Sequence, residues 1–147
     1  MNKNILIVDD EKHATDMLAA SLAPLECTIR TASTGEQALS IAEDGSVDLL
    51  ITDIMMPGLK GTELFYKIKK IDPFIQVILI TGYPSLHQIS EMLEAGANDF
   101  LIKPFDLNKL TQLVKEGFGR VDRWRGLRNE WVKFNRVSRH NVQGKPG

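Results

Sequence analysis

Four short runs of almost unbroken aliphatic residues constrain this chain more than any other feature: "ILIV" at 5–8, "LLIT" at 49–52, "VILI" at 77–80 and "FLI" at 100–102. A strand with one wet face alternates apolar and polar residues, whereas a strand covered on both faces does not. Runs without alternation therefore point to a parallel sheet buried between two helical layers. A weaker, alternating run, "CTIRTA", covers 27–32. The segments between the runs carry helical spacing: Ala14, Met17, Leu18, Leu22 and Leu25; Ala38, Leu39 and Ala42; Leu64, Phe65 and Ile68; Ile89, Met92 and Leu93; Leu107, Leu110, Leu113 and Val114.

The punctuation agrees with that reading. Ser33 or Thr34 can cap the second helix, with Gln37 spaced for a capping box. Gly96 ends the fourth helix and Asp106 stands at the N-cap of the fifth. Strand and helix repeat five times, which predicts an α/β domain with a doubly wound, flavodoxin-like parallel sheet. At 147 residues there is enough chain for one such domain with some left over. No apolar run approaches the roughly 20 residues of a membrane span. The acidic pair Asp9-Asp10 arrives too early for a signal peptide. Cys27 is the only cysteine, so an intrachain disulfide and a cysteine metal cluster are excluded and a reducing cytoplasm is expected.

Each strong run meets a polar residue at once: Asp9-Asp10, Asp53, Thr81 and Lys103. In an open parallel sheet these ends share one edge, where ligands bind at the switch of strand order. Three carboxylates within about 4 Å of one another repel by roughly 4 kcal/mol per pair at an effective dielectric near 20. The total, about 10 kcal/mol, rivals the stability of a whole domain at roughly 5–15 kcal/mol. Either protons or cations must balance them. Lys103 supplies one positive charge, and the remainder suits a hard divalent ion such as Mg²⁺, held by a few carboxylates and several waters. A metal with open positions, an amine and a hydroxyl around one carboxylate is shaped for a phosphoryl group, with Asp53 as nucleophile.

The motifs "ILIVDDE", "DLLITDIMMPGLKG", "VILITGY" and "AGANDFLIKPF" resemble, in order and spacing, those of the receiver domain of two-component response regulators, over residues 3 to about 118. The resemblance implies strand order 2-1-3-4-5 with five flanking helices. It implies that Asp53 accepts a phosphoryl group from a sensor histidine kinase or phosphotransfer protein. It further implies that Asp10 binds Mg²⁺ directly, Asp9 mostly through water, and the Met55 backbone carbonyl as a further ligand. Lys103 would pair with the phosphoryl oxygens, Thr81 would hydrogen-bond one of them, and Lys103-Pro104 would be the family's cis peptide. Phe100 matches the family's switch aromatic, although a plain core role reads equally well. Tyr83 and Met55 are expected to shield the site from water, while Gly82 leaves the donor's approach open. His13 and His87 have no partner pattern.

Two other classes fit the sequence less well. Aspartyl-phosphate phosphatases place a second acid two residues beyond the nucleophile, and here that position is Met55. A binding module with a dead site would lack some functional position, and none is missing. The expected role is thus a phosphoacceptor signalling domain rather than an enzyme.

The charge is split. Residues 1–117 balance to −7 and residues 118–147 to +6. Residues 1–119 are read as the receiver, 120–136 as a basic amphipathic helical extension or linker, and 137–147 as a disordered tail. Trp124, Leu127, Trp131 and Phe134 follow heptad spacing. Gly117, Gly119 and Gly126 each weaken a helix by about 1 kcal/mol relative to Ala, so the extension needs packing. Three readings stay open: a linker to a further domain, a helix that forms a homodimer or binds a partner, or, least favoured, a basic arm on nucleic acid. No membrane partner is expected.

Overall fold

The computed structural model describes residues 2–143, with side-chain surroundings to residue 139. Strands β1 (Lys3–Val8), β2 (Cys27–Ala32), β3 (Leu49–Asp53), β4 (Gln76–Thr81) and β5 (Asp99–Ile102) form one parallel sheet in the order β2-β1-β3-β4-β5. The unbroken apolar runs are the central strands, because both faces of each are buried. Leu6, Val8, Leu50, Val77 and Leu79 face a core shared with α2 (Gly35–Ala42), α3 (Gly61–Ile71) and α4 (Leu86–Glu94). Ile5, Ile7, Leu49, Ile51, Ile78 and Ile80 face the opposite core, closed by α1 (Lys12–Leu22) and α5 (Leu107–Gln143). This is the doubly wound architecture that the sequence predicts.

The capping chemistry also forms. Thr34 accepts a hydrogen bond from the Gln37 N–H as the N-cap, and the Gln37 side chain reaches back to accept one from the Ser33 N–H, a capping-box-like pair shifted by one residue. Gly96 ends α4 at a φ of +108°, where a side chain would be strained. Helix α1 stops at Leu22, and the expected Leu25 lies in a 3₁₀ turn with Pro24, whose missing N–H cannot continue the α-helical ladder. Met17 and Leu93, although correctly spaced, sit half-exposed at the rims of their helices.

One glycine sets the distance between the site and its support. A Cβ on Gly61, the first residue of α3, would stand 2.3 Å from the Asp53 carbonyl oxygen and 2.7 Å from the Ile54 Cα. The Gly61 N–H donates to the Ile54 carbonyl at 3.0 Å, so the helix begins directly against the end of β3.

Helix α5 runs without a break from Leu107 to Gln143, continuing past 119 into the helical extension expected over 120–136 and on through 137–143, where disorder was expected. Residues 144–147 of that expected tail lie outside the described residues. Packing explains the continuity. The Arg120 Nε donates to the Gln76 Oε1 at 2.7 Å, Val121 is buried, Lys3 pairs with Asp122 at 2.8 Å, and Arg125 pairs with the buried Asp48. Trp124 meets the Phe74 ring edge-on with centroids 6.4 Å apart, and Arg128 lies 4.4 Å over that ring. Gly117 is no weak point either, since a Cβ there would meet Leu49 at 2.7 Å, and its absence lets α5 approach the sheet.

Candidate functional site

At the C-terminal edge of the sheet, the ends of β1, β3, β4 and β5 bring the polar residues together. Asp9, Asp10, Glu11, Asp53, Met55, Gly82, Tyr83, Lys103 and Pro104 line one hollow of about 610 Å³. Asp53, the last residue of β3, is buried, and both of its carboxylate oxygens are engaged. Oδ1 accepts the Met55 N–H at 2.8 Å and Oδ2 accepts the Lys103 Nζ at 2.5 Å. The chain turns back at Pro57-Gly58, with Gly58 at a φ of +73°, and that turn keeps the Met55 amide over the carboxylate.

Asp9 is buried beside Asp53, its Oδ1 accepting the Glu11 N–H at 2.9 Å and its Oδ2 lying 4.0 Å from the Lys103 Nζ. Burial raises its pKa above the ordinary carboxylate value, the Glu11 amide opposes that, and the neighbouring Asp53 charge adds to it. Burial works against the charge on Lys103, but the hydrogen bond and the charges of Asp53 and Asp9 outweigh it and hold its pKa above the usual lysine value. Asp10 is exposed at the mouth of the hollow. One amine thus stands among four carboxylates, Asp9, Asp10, Glu11 and Asp53, which leaves an excess of negative charge.

That excess bears on metal binding. Among the described residues, no three acidic, histidine or cysteine side chains converge tightly enough to cage an ion by themselves. A hard divalent ion would therefore take one or two carboxylates together with backbone oxygen and water, the ligand set that Mg²⁺ favours. The donor chemistry fits.

Thr81 and Phe100 stand differently. Thr81 ends β4 but is buried behind the hollow, its Oγ1 accepting the Tyr83 N–H at 3.0 Å. Phe100 lies in the middle of β5, half-buried against the core on the α4 side, and does not reach the hollow. The Lys103-Pro104 peptide is cis, and the Lys103 N–H donates to the Thr81 carbonyl at 2.8 Å. Met55 is 54% exposed and Tyr83 79% exposed. Sequence reasoning did not find the Met55 and Glu11 amides as donors to Asp53 and Asp9. Backbone donors carry no residue signature, and only the short spacing after each aspartate hints at them. Glu11, at the N-cap of α1, lines the hollow as well.

The fold and this edge define a phosphoacceptor signalling module, and the comparisons agree. The model of the response regulator receiver domain matches residues 5–115. The chain belongs to that family of two-component systems, whose members generally bind Mg²⁺ at the phosphorylation site and interact with histidine kinases or phosphotransfer proteins. It is 36% identical over 116 residues to sporulation initiation phosphotransferase F of Bacillus subtilis, covering 79% of this chain and 94% of that protein. It is 35% identical over 111 residues to the DNA-binding transcriptional regulator NtrC of Azospirillum brasilense, covering 76% of this chain but only 23% of that one. Among solved structures, a CheY-like receiver domain protein from Methanospirillum hungatei superimposes with a TM-score of 0.79 at 32% identity, covering 84% of this chain and 98% of the other. Among the described residues, no helix is long and apolar enough to cross a membrane.

Proposed function

We propose that Asp53 accepts a phosphoryl group from the phosphohistidine of a sensor histidine kinase or phosphotransfer protein, and that Mg²⁺ assists at Asp10, Asp9, Asp53 and the Met55 carbonyl. The observation that carries this reading is the buried Asp53 carboxylate at the sheet edge, held by one amide and one movable amine inside an acidic hollow. Bound Mg²⁺ supplies charge neutralisation for the incoming phosphoryl oxygens.

The chain's own residues do the remainder. An Asp53 oxygen attacks phosphorus, a P–O bond forms, and the P–N bond to the donor imidazole breaks with its electron pair leaving on nitrogen. The Met55 N–H keeps the carboxylate pointed at the donor. Lys103, whose side chain is 43% exposed, can leave Oδ2 and follow the negative charge onto the phosphoryl group. The Thr81 hydroxyl, whose oxygen accepts the Tyr83 N–H, donates its own hydrogen to a phosphoryl oxygen, and Phe100 turns inward behind it. Met55 and Tyr83 flank the path of an attacking water, and Gly82 leaves room for the donor.

In this reading the protein is a cytoplasmic phosphoacceptor that aids its own phosphorylation and dephosphorylation. The extension beyond residue 119 meets a second copy. Incubation with acetyl phosphate and Mg²⁺, followed by whole-protein mass spectrometry, tests the reading. One phosphoryl group on the wild type and none on Asp53→Asn is expected, whereas equal uptake by both would overturn it.

A further inference from the structure

Two helix starts hold the loop that follows Asp53. Gly61, the first residue of α3, stands against the end of β3, and Gly35, the first residue of α2, stands against Leu59. A Cβ on Gly35 would lie 2.8 Å from the Leu59 Cβ and 2.9 Å from its carbonyl oxygen, so α2 begins in direct contact with the loop. The next residue, Glu36, reaches across that contact. Its Oε1 accepts the Leu59 N–H at 3.2 Å and lies 3.4 Å from the point where a Cβ on Gly58 would stand. Its place in the sequence gives Glu36 only an ordinary role, an acid in the first turn of α2 where the helix dipole favours it. A hydrogen bond to an amide 23 residues away is no part of that role.

We infer that Glu36 is a positioning residue for the phosphorylation site: by holding the Leu59 amide it locks the turn over 55–60 and so fixes the Met55 carbonyl. The inference rests on the proposal that this carbonyl is a ligand of Mg²⁺, and adds what keeps it in place.

The stiffness of the turn supports it. Met56 is buried in the core on the side of α2 and α3, and the Pro57 ring fixes its own φ, so neither can absorb a displacement. Gly58 can. It stands at a φ of +73°, and glycine crosses between backbone basins at little cost. Glu36 bonds the amide immediately beyond that soft joint. With the bond made, a swing at Gly58 has to break it. Without the bond, Gly58 is free to swing and the Met55 peptide moves with it. The Met55 N–H also donates to the Asp53 Oδ1 at 2.8 Å, so a loosened turn reaches the acceptor carboxylate as well.

Mg²⁺ demands near-ideal octahedral geometry at about 2.0–2.1 Å and tolerates little wander in a ligand. Losing an outer hydrogen bond to a metal ligand typically costs roughly 10–100-fold in affinity, and a bond that acts through a turn should cost less, about three- to tenfold.

The test uses the full chain with Glu36→Ala and Glu36→Gln. Glutamine keeps an acceptor oxygen at the same reach and drops the charge. In calorimetric titration with Mg²⁺ alone, Glu36→Ala is expected to bind about three- to tenfold more weakly, and Glu36→Gln close to the wild type. With acetyl phosphate, Glu36→Ala should take up label slowly at low Mg²⁺ and at the wild-type rate at saturating Mg²⁺. Amide exchange across 55–60 should quicken in Glu36→Ala and not in Glu36→Gln, while the urea midpoints stay close together because Glu36 is exposed. Equal Mg²⁺ affinity in Glu36→Ala and the wild type would overturn the inference and leave phosphoryl uptake at Asp53 standing. Equal weakening in both variants would overturn it too, since charge at a distance, rather than the hydrogen bond, would then act on the metal. A wild type that binds no Mg²⁺ would overturn the proposed metal site, and the inference with it.

Discussion

Replacing Gly61 with alanine should damage both the fold and the site, because the new methyl group has nowhere to go. Its Cβ would stand 2.3 Å from the Asp53 carbonyl oxygen, while real Cβ contacts stay beyond 3.0 Å, so the end of β3 and the start of α3 must separate by about 0.7 Å. The Gly61 N–H bond to Ile54 and the paired strands on both sides of β3 resist that movement. Forced overpacking of this kind costs about 1–3 kcal/mol, and backbone contacts sit at the upper end. Alanine returns at most about 1 kcal/mol of helix propensity, less at a first helical residue. The net loss is about 2 kcal/mol, which lowers a urea midpoint by about 1 M for a slope near 2 kcal/mol per M. Displacing Asp53 by a fraction of an ångström should also slow phosphoryl uptake about tenfold or more. Gly119→Ala is the control, since nothing lies within 4 Å of its Cβ position, and it should gain about 0.5–1 kcal/mol. Gly61→Ala as stable as the wild type in urea would refute the close-approach argument.

Three further outcomes are expected. Asp10→Ala should weaken Mg²⁺ binding more than Asp9→Ala in titration calorimetry, because Asp10 is open at the mouth of the hollow whereas Asp9 is already held by the Glu11 amide; equal losses would reverse that ranking. Replacing Tyr83 and Met55 together with small polar residues should shorten the phosphoryl half-life, since both flank the route of water, and an unchanged decay of the label would count against shielding. Burial lowers the Lys69 pKa to about 8, with the charge of Asp72 opposing. Between that value and its ordinary 10.5 the unfolded chain holds a proton that the folded chain lacks, so the group makes stability rise with pH across this window, by up to about 3 kcal/mol at about 1.4 kcal/mol per unit. Denaturant melts from pH 8 to 10.5 should show that rise in the wild type and lack it in Lys69→Met.

Much of the fold was legible because its signals are local and redundant. A strand buried on both faces announces itself through unbroken aliphatic residues, and the middles of β1, β3 and β4 obey that rule. The site was legible for a related reason. A charged residue at the end of an apolar strand has no packing role, so Asp53 and Lys103 stood out before any geometry was known. What was missed depends on contacts distant in sequence. The pairing of Arg125 with Asp48 and the cover of Phe74 by Trp124 and Arg128 join residues too far apart for periodicity to reveal. Those contacts supply the packing that carries α5 past its weakening glycines. Gly117 misled in the same way, since its low helix propensity is visible in the sequence while the closeness of Leu49 is not.

The central claim is that Asp53 forms an acyl phosphate, and reductive trapping tests it most directly. Borohydride converts an aspartyl phosphate to homoserine and leaves a free carboxylate untouched. The protein would be treated with acetyl phosphate and Mg²⁺, reduced, digested and mapped by tandem mass spectrometry. Homoserine should appear at position 53 alone, and only when the phosphodonor is present. Homoserine at Asp9 or Asp10, or none anywhere after demonstrated phosphoryl uptake, would contradict the account.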